Sequence, residues 1–120
     1  MQASNLLEFL EEDTPQRAHW LGFWFADGSL VKSAIRLVIH RRHKKYIETL
    51  ATWTNDGRVY DYPYLPTVYW QKKSKPAVAK LIELGGKERK SRTCSIPEWL
   101  IESPNLNHFL LGYFDGDGTI

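Results

Sequence analysis

Apolar and polar positions alternate in some stretches of the chain and recur at helical spacing in others, and the two rhythms predict different elements. From Ile35 to His40, the apolar Ile35, Leu37 and Ile39 interleave with Arg36, Val38 and His40, as in a strand with one buried face. Leu30 and Val31 precede it across a turn at Lys32-Ser33-Ala34, which makes a first hairpin. Between His43 and Thr54, Tyr46, Ile47, Leu50 and Ala51 fall at helical spacing, and Asn55-Asp56-Gly57 ends the helix with turn chemistry. A second hairpin follows, from Arg58 to Tyr62, through a proline-bounded turn around Pro63 to Pro66, to a strand from Thr67 to Gln71. Ser74 caps the next helix, which carries Val78, Leu81 and Ile82 and stops at Gly85-Gly86.

Two apolar helical segments flank this region, and they read almost the same. Trp20-Leu21-Gly22-Phe23-Trp24-Phe25-Ala26-Asp27-Gly28-Ser29 is echoed, 90 residues on, by Leu110-Leu111-Gly112-Tyr113-Phe114-Asp115-Gly116-Asp117-Gly118-Thr119. Thr14-Pro15 and Ser103-Pro104 each supply an N-cap and a first-turn proline. Gly28 and Gly118 are expected in the left-handed conformation that closes a helix. Gly22 with Ala26, and Gly112 with Gly116, lie four apart on one face, so two helix backbones can approach closely there. Both helices end on an acid, Asp27 and Asp117, where the helix dipole disfavours negative charge. A bound cation would remove that penalty, and two such ends side by side would form one acidic, metal-ready site.

These residues resemble the signature of the LAGLIDADG homing endonucleases. Along that nine-letter motif, Gly22 and Gly112 fall on the third position, Asp27 and Asp117 on the acidic eighth, and Gly28 and Gly118 on the ninth. At the sixth letter the second copy keeps Asp115, whereas the first has Phe25. Counting the first motif helix, the predicted order is αββαββα, and the resemblance implies the same α+β domain, with an antiparallel sheet that saddles DNA. It divides the chain into an N-terminal LAGLIDADG domain over 1–100 and the start of a truncated second one over 101–120. A missing C-terminal domain, or a homodimer built on the first helix, would complete the site. The resemblance also implies metal-dependent, sequence-specific double-strand cleavage of DNA. Asp27 and Asp117 would be its catalytic metal ligands, with Ala26 and Gly116 beside them and Mg²⁺ or Mn²⁺ as the ion, since oxygen donors suit those metals better than zinc. Lys90, within Lys87-Glu88-Arg89-Lys90-Ser91, matches the family's active-site lysine.

The net charge of +2 conceals a separation. From Lys32 to Arg92 there are 15 Lys and Arg against 5 Asp and Glu, while the flanks that hold the repeated helices are acidic. Such a basic middle, interleaved with aromatics, suits a phosphate backbone. Strand parity then places Arg36 and His40 on one outer face, with Lys32 at the turn, and Thr67, Tyr69 and Gln71 together on the last strand, followed by Lys73. Arg and Gln read purine edges in the major groove, and Lys suits phosphate. These residues are the expected contacts to double-stranded DNA.

Other features narrow the class. Cys94 is alone, so neither a disulfide framework nor a zinc cluster is expected. No apolar run approaches the roughly 18 residues of a membrane span, and acids stand where a signal peptide carries lysines, so an intracellular, non-secreted protein is expected. The string Asp115-Gly116-Asp117-Gly118 lacks the twelfth-position acid of a calcium loop. The rival functional class is a non-catalytic nucleic-acid binder on the same fold, such as a transcription regulator or an RNA-splicing maturase. A pure binder needs neither Asp27 nor Asp117, so their presence favours the enzyme.

Overall fold

The computed structural model describes residues 3–86 and 96–117, with only the helical backbone given for residues 116 and 117. Helix α1 (Leu6–Glu11) is followed by α2 (Pro15–Asp27), β1 (Gly28–Val31), β2 (Ala34–His40), α3 (Lys44–Thr54), β3 (Arg58–Tyr60), β4 (Thr67–Lys73) and α4 (Lys75–Glu83). After the undescribed segment come a short α5 (Glu98–Ile101) and α6 (Leu106–Asp117). The fold is α+β, and α2 through α4 run in the order αββαββα.

The four strands form one antiparallel sheet in the order β1-β2-β4-β3. Its centre is the long β2–β4 pairing, from Ala34 opposite Lys73 to His40 opposite Thr67. One face is apolar. Ile35, Leu37, Val68 and Trp70 are fully buried in a core shared with Trp20, Phe23 and Trp24 of α2, Ile47 and Leu50 of α3, and Leu81 of α4. Trp20 meets Trp70 edge-on at 5.7 Å, which ties the motif helix to the sheet. Leu100 and Phe109 bring α5 and α6 into the same core.

Side-chain caps account for several boundaries. Thr14 accepts a hydrogen bond from the Arg17 N–H at 3.0 Å, with Pro15 in the first turn of α2. Ser74 accepts from Ala77 at 3.3 Å at the start of α4, and left-handed Asn55 closes α3. The first hairpin turns on Lys32 and Ser33 alone, both at positive φ, so Ala34 belongs to the strand.

Four expectations need correction. Gly28 is extended (φ −88°), not left-handed; it opens β1, and glycine is required because a Cβ there would strike the Trp24 indole. Ser103-Pro104 is not a helix cap with a first-turn proline. Both residues lie in a turn, Ser103 Oγ accepts from the Asn105 N–H at 3.0 Å, and α6 begins at Leu106. Strand β3 ends at Tyr60, because Asp61 and Tyr62 turn away into the loop, whereas β4 continues to Lys73. Helix α1 was not anticipated. Asn5 caps it by accepting from Glu8 at 2.9 Å, and Asp56 accepts its Leu6 N–H at 2.9 Å. Among the described residues, no helix is long and apolar enough to cross a membrane.

Candidate nucleic-acid interface and paired helix ends

Helices α2 and α6 touch through their glycines. A Cβ on Gly22 would overlap the Phe109 carbonyl and lie 2.8 Å from the Tyr113 nitrogen. One on Gly112 would overlap the His19 carbonyl and lie 3.0 Å from the Phe23 nitrogen. These are backbone atoms of the opposite helix, so no side-chain movement relieves the overlap. Upstream of both helices, Asn105 Nδ2 donates to Asp13 Oδ1 at 3.0 Å. With starts joined and middles in contact, the two helices run in the same direction. Asp27 and Asp117 each stand five residues past the packing glycine, at the same end of the pair. Asp27 is exposed there and Ala26 is half-buried.

The contacts obey the 90-residue offset. His19 corresponds to Phe109, Phe23 to Tyr113 and Phe25 to Asp115. Phe25 packs edge-on against Phe109 at 5.3 Å, while at the matching place His19 Nε2 lies 3.3 Å from Asp115 Oδ2. The sixth motif position is thus filled as an aromatic pair on one side and a polar pair on the other. Phe25 is the complement of Phe109, and Asp115 that of His19. Extending the repeat by one residue aligns His19 with Phe109 in the sequence, but which residues meet across the helices is set by their packing.

Tyr46 of α3 completes the polar side. Its hydroxyl donates to Asp115 Oδ2 at 3.0 Å, and His19 Nε2 lies 2.5 Å from the same hydroxyl. With one phenolic proton, the consistent arrangement has His19 donating to Tyr46 and Tyr46 to Asp115. Burial lowers the His19 pKa below its ordinary value, against the pull of Asp115 and assisted by His108. Burial and the Asp115 hydrogen bond raise that of Tyr46, so its proton is held firmly.

The outer sheet face gathers most of the expected DNA contacts. Arg36 lies opposite Gln71, and its Nε and Nη2 donate to Gln71 Oε1 at 2.9 and 2.6 Å. The Arg36 guanidinium also sits 4.6 Å from the Tyr69 ring centre. Thr67 lies opposite His40, whose Nδ1 accepts from the Arg42 N–H at 3.2 Å and so caps the turn after β2. Lys73 is exposed at one end of the face, and Lys32 is exposed in the β1–β2 turn. The register adds two residues that the sequence reading passed over: Arg58 opposite Gln71 and Tyr60 opposite Tyr69. Their alternation was visible, but their place on this face depended on the β3–β4 pairing. Lys90 lies outside the described residues.

At the end of α2, the Asp27 carboxylate and the Ala26 carbonyl are hard oxygen donors of the kind that suit Mg²⁺ or Mn²⁺. Among the described residues, no three His, Cys, Asp or Glu side chains group as a metal cage. Mg²⁺ usually takes one or two carboxylates and keeps water and substrate phosphate oxygens as its other ligands. No protein-family model matches the chain, and no curated protein matches it either.

Proposed function

We propose that the chain is a DNA endonuclease of the LAGLIDADG kind, or the N-terminal part of one, making metal-dependent double-strand breaks at a specific sequence. The observation that carries this reading is the matched pair of helices, packed through Gly22 and Gly112, with Asp27 and Asp117 ending them on the same side. The αββαββα order of α2 to α4 and the charged outer sheet face support it further.

On this reading Arg36, Gln71, Tyr69 and Arg58 meet base edges and backbone, with Lys32, His40, Thr67 and Lys73 at the margins. Asp27 and Asp117, with the carbonyls of Ala26 and Gly116, would hold Mg²⁺ or Mn²⁺, and Lys90 would face the scissile phosphate. The ion, when bound, activates water and neutralises charge on the leaving oxygen. The acids hold it in place, and the glycine contact keeps the two acids at one end of the helix pair. The pairing also favours α6 over a second α2 as the partner of α2. In a homodimer through α2, each His19 would face the partner's Phe25, leaving a half-buried imidazole without the Asp115 carboxylate.

Fluorescence anisotropy with duplex DNA tests the interface. Affinity should fall with salt, with a slope of about 0.9 per phosphate neutralised. Replacing Arg36 and Gln71 together with Ala should weaken binding or relax sequence preference. Absence of duplex binding at low salt would remove the proposal.

A further inference from the structure

Resting on the reading that the outer sheet face binds nucleic acid, we infer that the β3–β4 loop is a stacking platform for unpaired bases of a single strand. Four tyrosines run from the sheet to the loop tip. Tyr69 stacks on Tyr60 with ring centres 4.8 Å apart, Tyr62 lies 6.5 Å from Tyr69, and Tyr64 lies 6.1 Å from Tyr62. Exposure rises along the line: Tyr60 and Tyr69 are half-buried, Tyr62 is 40% exposed and Tyr64 82%.

The tip is well anchored. Arg41 donates to the Tyr62 and Leu65 carbonyls at 2.6 and 3.0 Å, and its backbone N–H donates to the Pro66 carbonyl at 2.9 Å. The Leu65 N–H closes a turn on the Tyr62 carbonyl at 2.9 Å, and Pro63 and Pro66 fix their own φ. Aromatic faces on so constrained a loop lose little freedom when a ligand covers them.

Charge selects the ligand. Asp61, the acid beside the tip, pairs with both Arg41 and Lys44. Arg36 lies over Tyr69, and Arg58 stands across from Gln71 on the same face. Flat rings among cations suit a polyanion with flat rings of its own; a proline-rich peptide would need the rings but not the cations. Bases in a duplex already cover each other's faces, whereas a single strand leaves them open to aromatic side chains.

Fluorescence anisotropy tests the platform with labelled oligothymidylate, oligouridylate, an abasic strand of equal length, and a duplex. The parent should bind the abasic strand more weakly than either homopolymer, and preference between the two tells DNA from RNA. Tyr64→Ala, at a side chain too exposed to carry folding, should weaken homopolymer binding about tenfold, the loss of one stacked base. Tyr64→Phe should retain it, and duplex affinity should not move with either change. Unchanged homopolymer binding by Tyr64→Ala, equal loss on the duplex, or equal affinity for the abasic strand would overturn the platform. Binding of a proline-rich peptide at Tyr64 without any homopolymer binding would do the same. Duplex binding that persists while the single strand ignores Tyr64 removes the platform and leaves the sheet-face reading standing; loss of both removes the two together.

Discussion

Replacing Gly22 with alanine adds one methyl group at the tightest point of the molecule. By helix propensity alone the change should help, since Ala is about 1 kcal/mol better than Gly inside a helix. The packing says otherwise. The new Cβ would overlap the Phe109 carbonyl and sit 2.8 Å from the Tyr113 nitrogen, where ordinary carbon contacts need roughly 3.5–4 Å. Both obstacles are backbone, so α6 must move as a body. That displacement disturbs the Phe25–Phe109 ring pair, worth about 0.5–1.5 kcal/mol, and the hydrogen bonds joining His19, Tyr46 and Asp115, worth about 0.5–1.5 kcal/mol each. With an overpacking cost of about 1–3 kcal/mol, and the propensity gain set against these losses, the balance is a destabilisation of about 2–6 kcal/mol. For a chain of this size that is a Tm drop of roughly 10 °C or more. Urea and thermal melts followed by circular dichroism measure it. Thr49→Ala, at an exposed position of α3, serves as the propensity control and should be neutral or slightly stabilising. Gly112→Ala should behave like Gly22→Ala, and the double variant should cost less than the two added, because one methyl already separates the helices. A Gly22→Ala protein as stable as the parent would refute the close helix contact.

Two further predictions concern titration and a half-buried carboxylate. The pKa of His19 is lowered in the folded chain, chiefly by burial, so below about pH 6.5 the unfolded chain takes up the proton first. The stability it provides is complete above that pH and declines as pH falls towards the folded value. His19→Gln should flatten this limb when Tm is followed from pH 7.5 downwards, and an unchanged slope would count against a neutral His19. Burial would raise the Asp56 carboxyl, but the Leu6 N–H, Lys72 and the Gly57 N–H outweigh it and hold it below the usual value. Asp56→Asn should cost about 2–4 kcal/mol in a urea melt, because an amide cannot accept from both N–H groups and loses the 3.1 Å ion pair with Lys72. Its effect should shrink as pH falls through the folded pKa, below about pH 4, where the parent loses the same charge. A cost that does not vary with pH would refute that assignment.

How far the sequence reached depended on the range of the forces involved. The faces of β2 and β4 were legible because Ile35, Leu37, Val68 and Trp70 obey a period of two, and Ser74 and Asn55 act within one turn of chain. Helix α1 was not, since its six residues depend on Asp56, 50 positions away, and on burial of Leu6 and Leu10. Gly28 was misread because its lack of a Cβ serves the Trp24 ring rather than a left-handed turn. The Arg36–Gln71 pair needed the register of two strands, which alternation alone does not set. The repeat showed which glycines and acids correspond, but the exchange of His19–Asp115 for Phe109–Phe25 emerged only when both helices were seen together.

The most direct test of the account is cleavage of a randomised duplex library in Mg²⁺ by the parent chain, by Asp27→Asn and by Asp117→Asn, with broken ends captured and sequenced. Asn keeps the shape of the side chain but removes the charge that holds the cation. Breaks by the parent should cluster at related sequences and be lost in EDTA, and each Asn variant should lose cleavage of at least one strand while duplex binding survives. Breaks made at the parent's rate by either Asn variant would contradict the assignment of Asp27 and Asp117 as metal ligands.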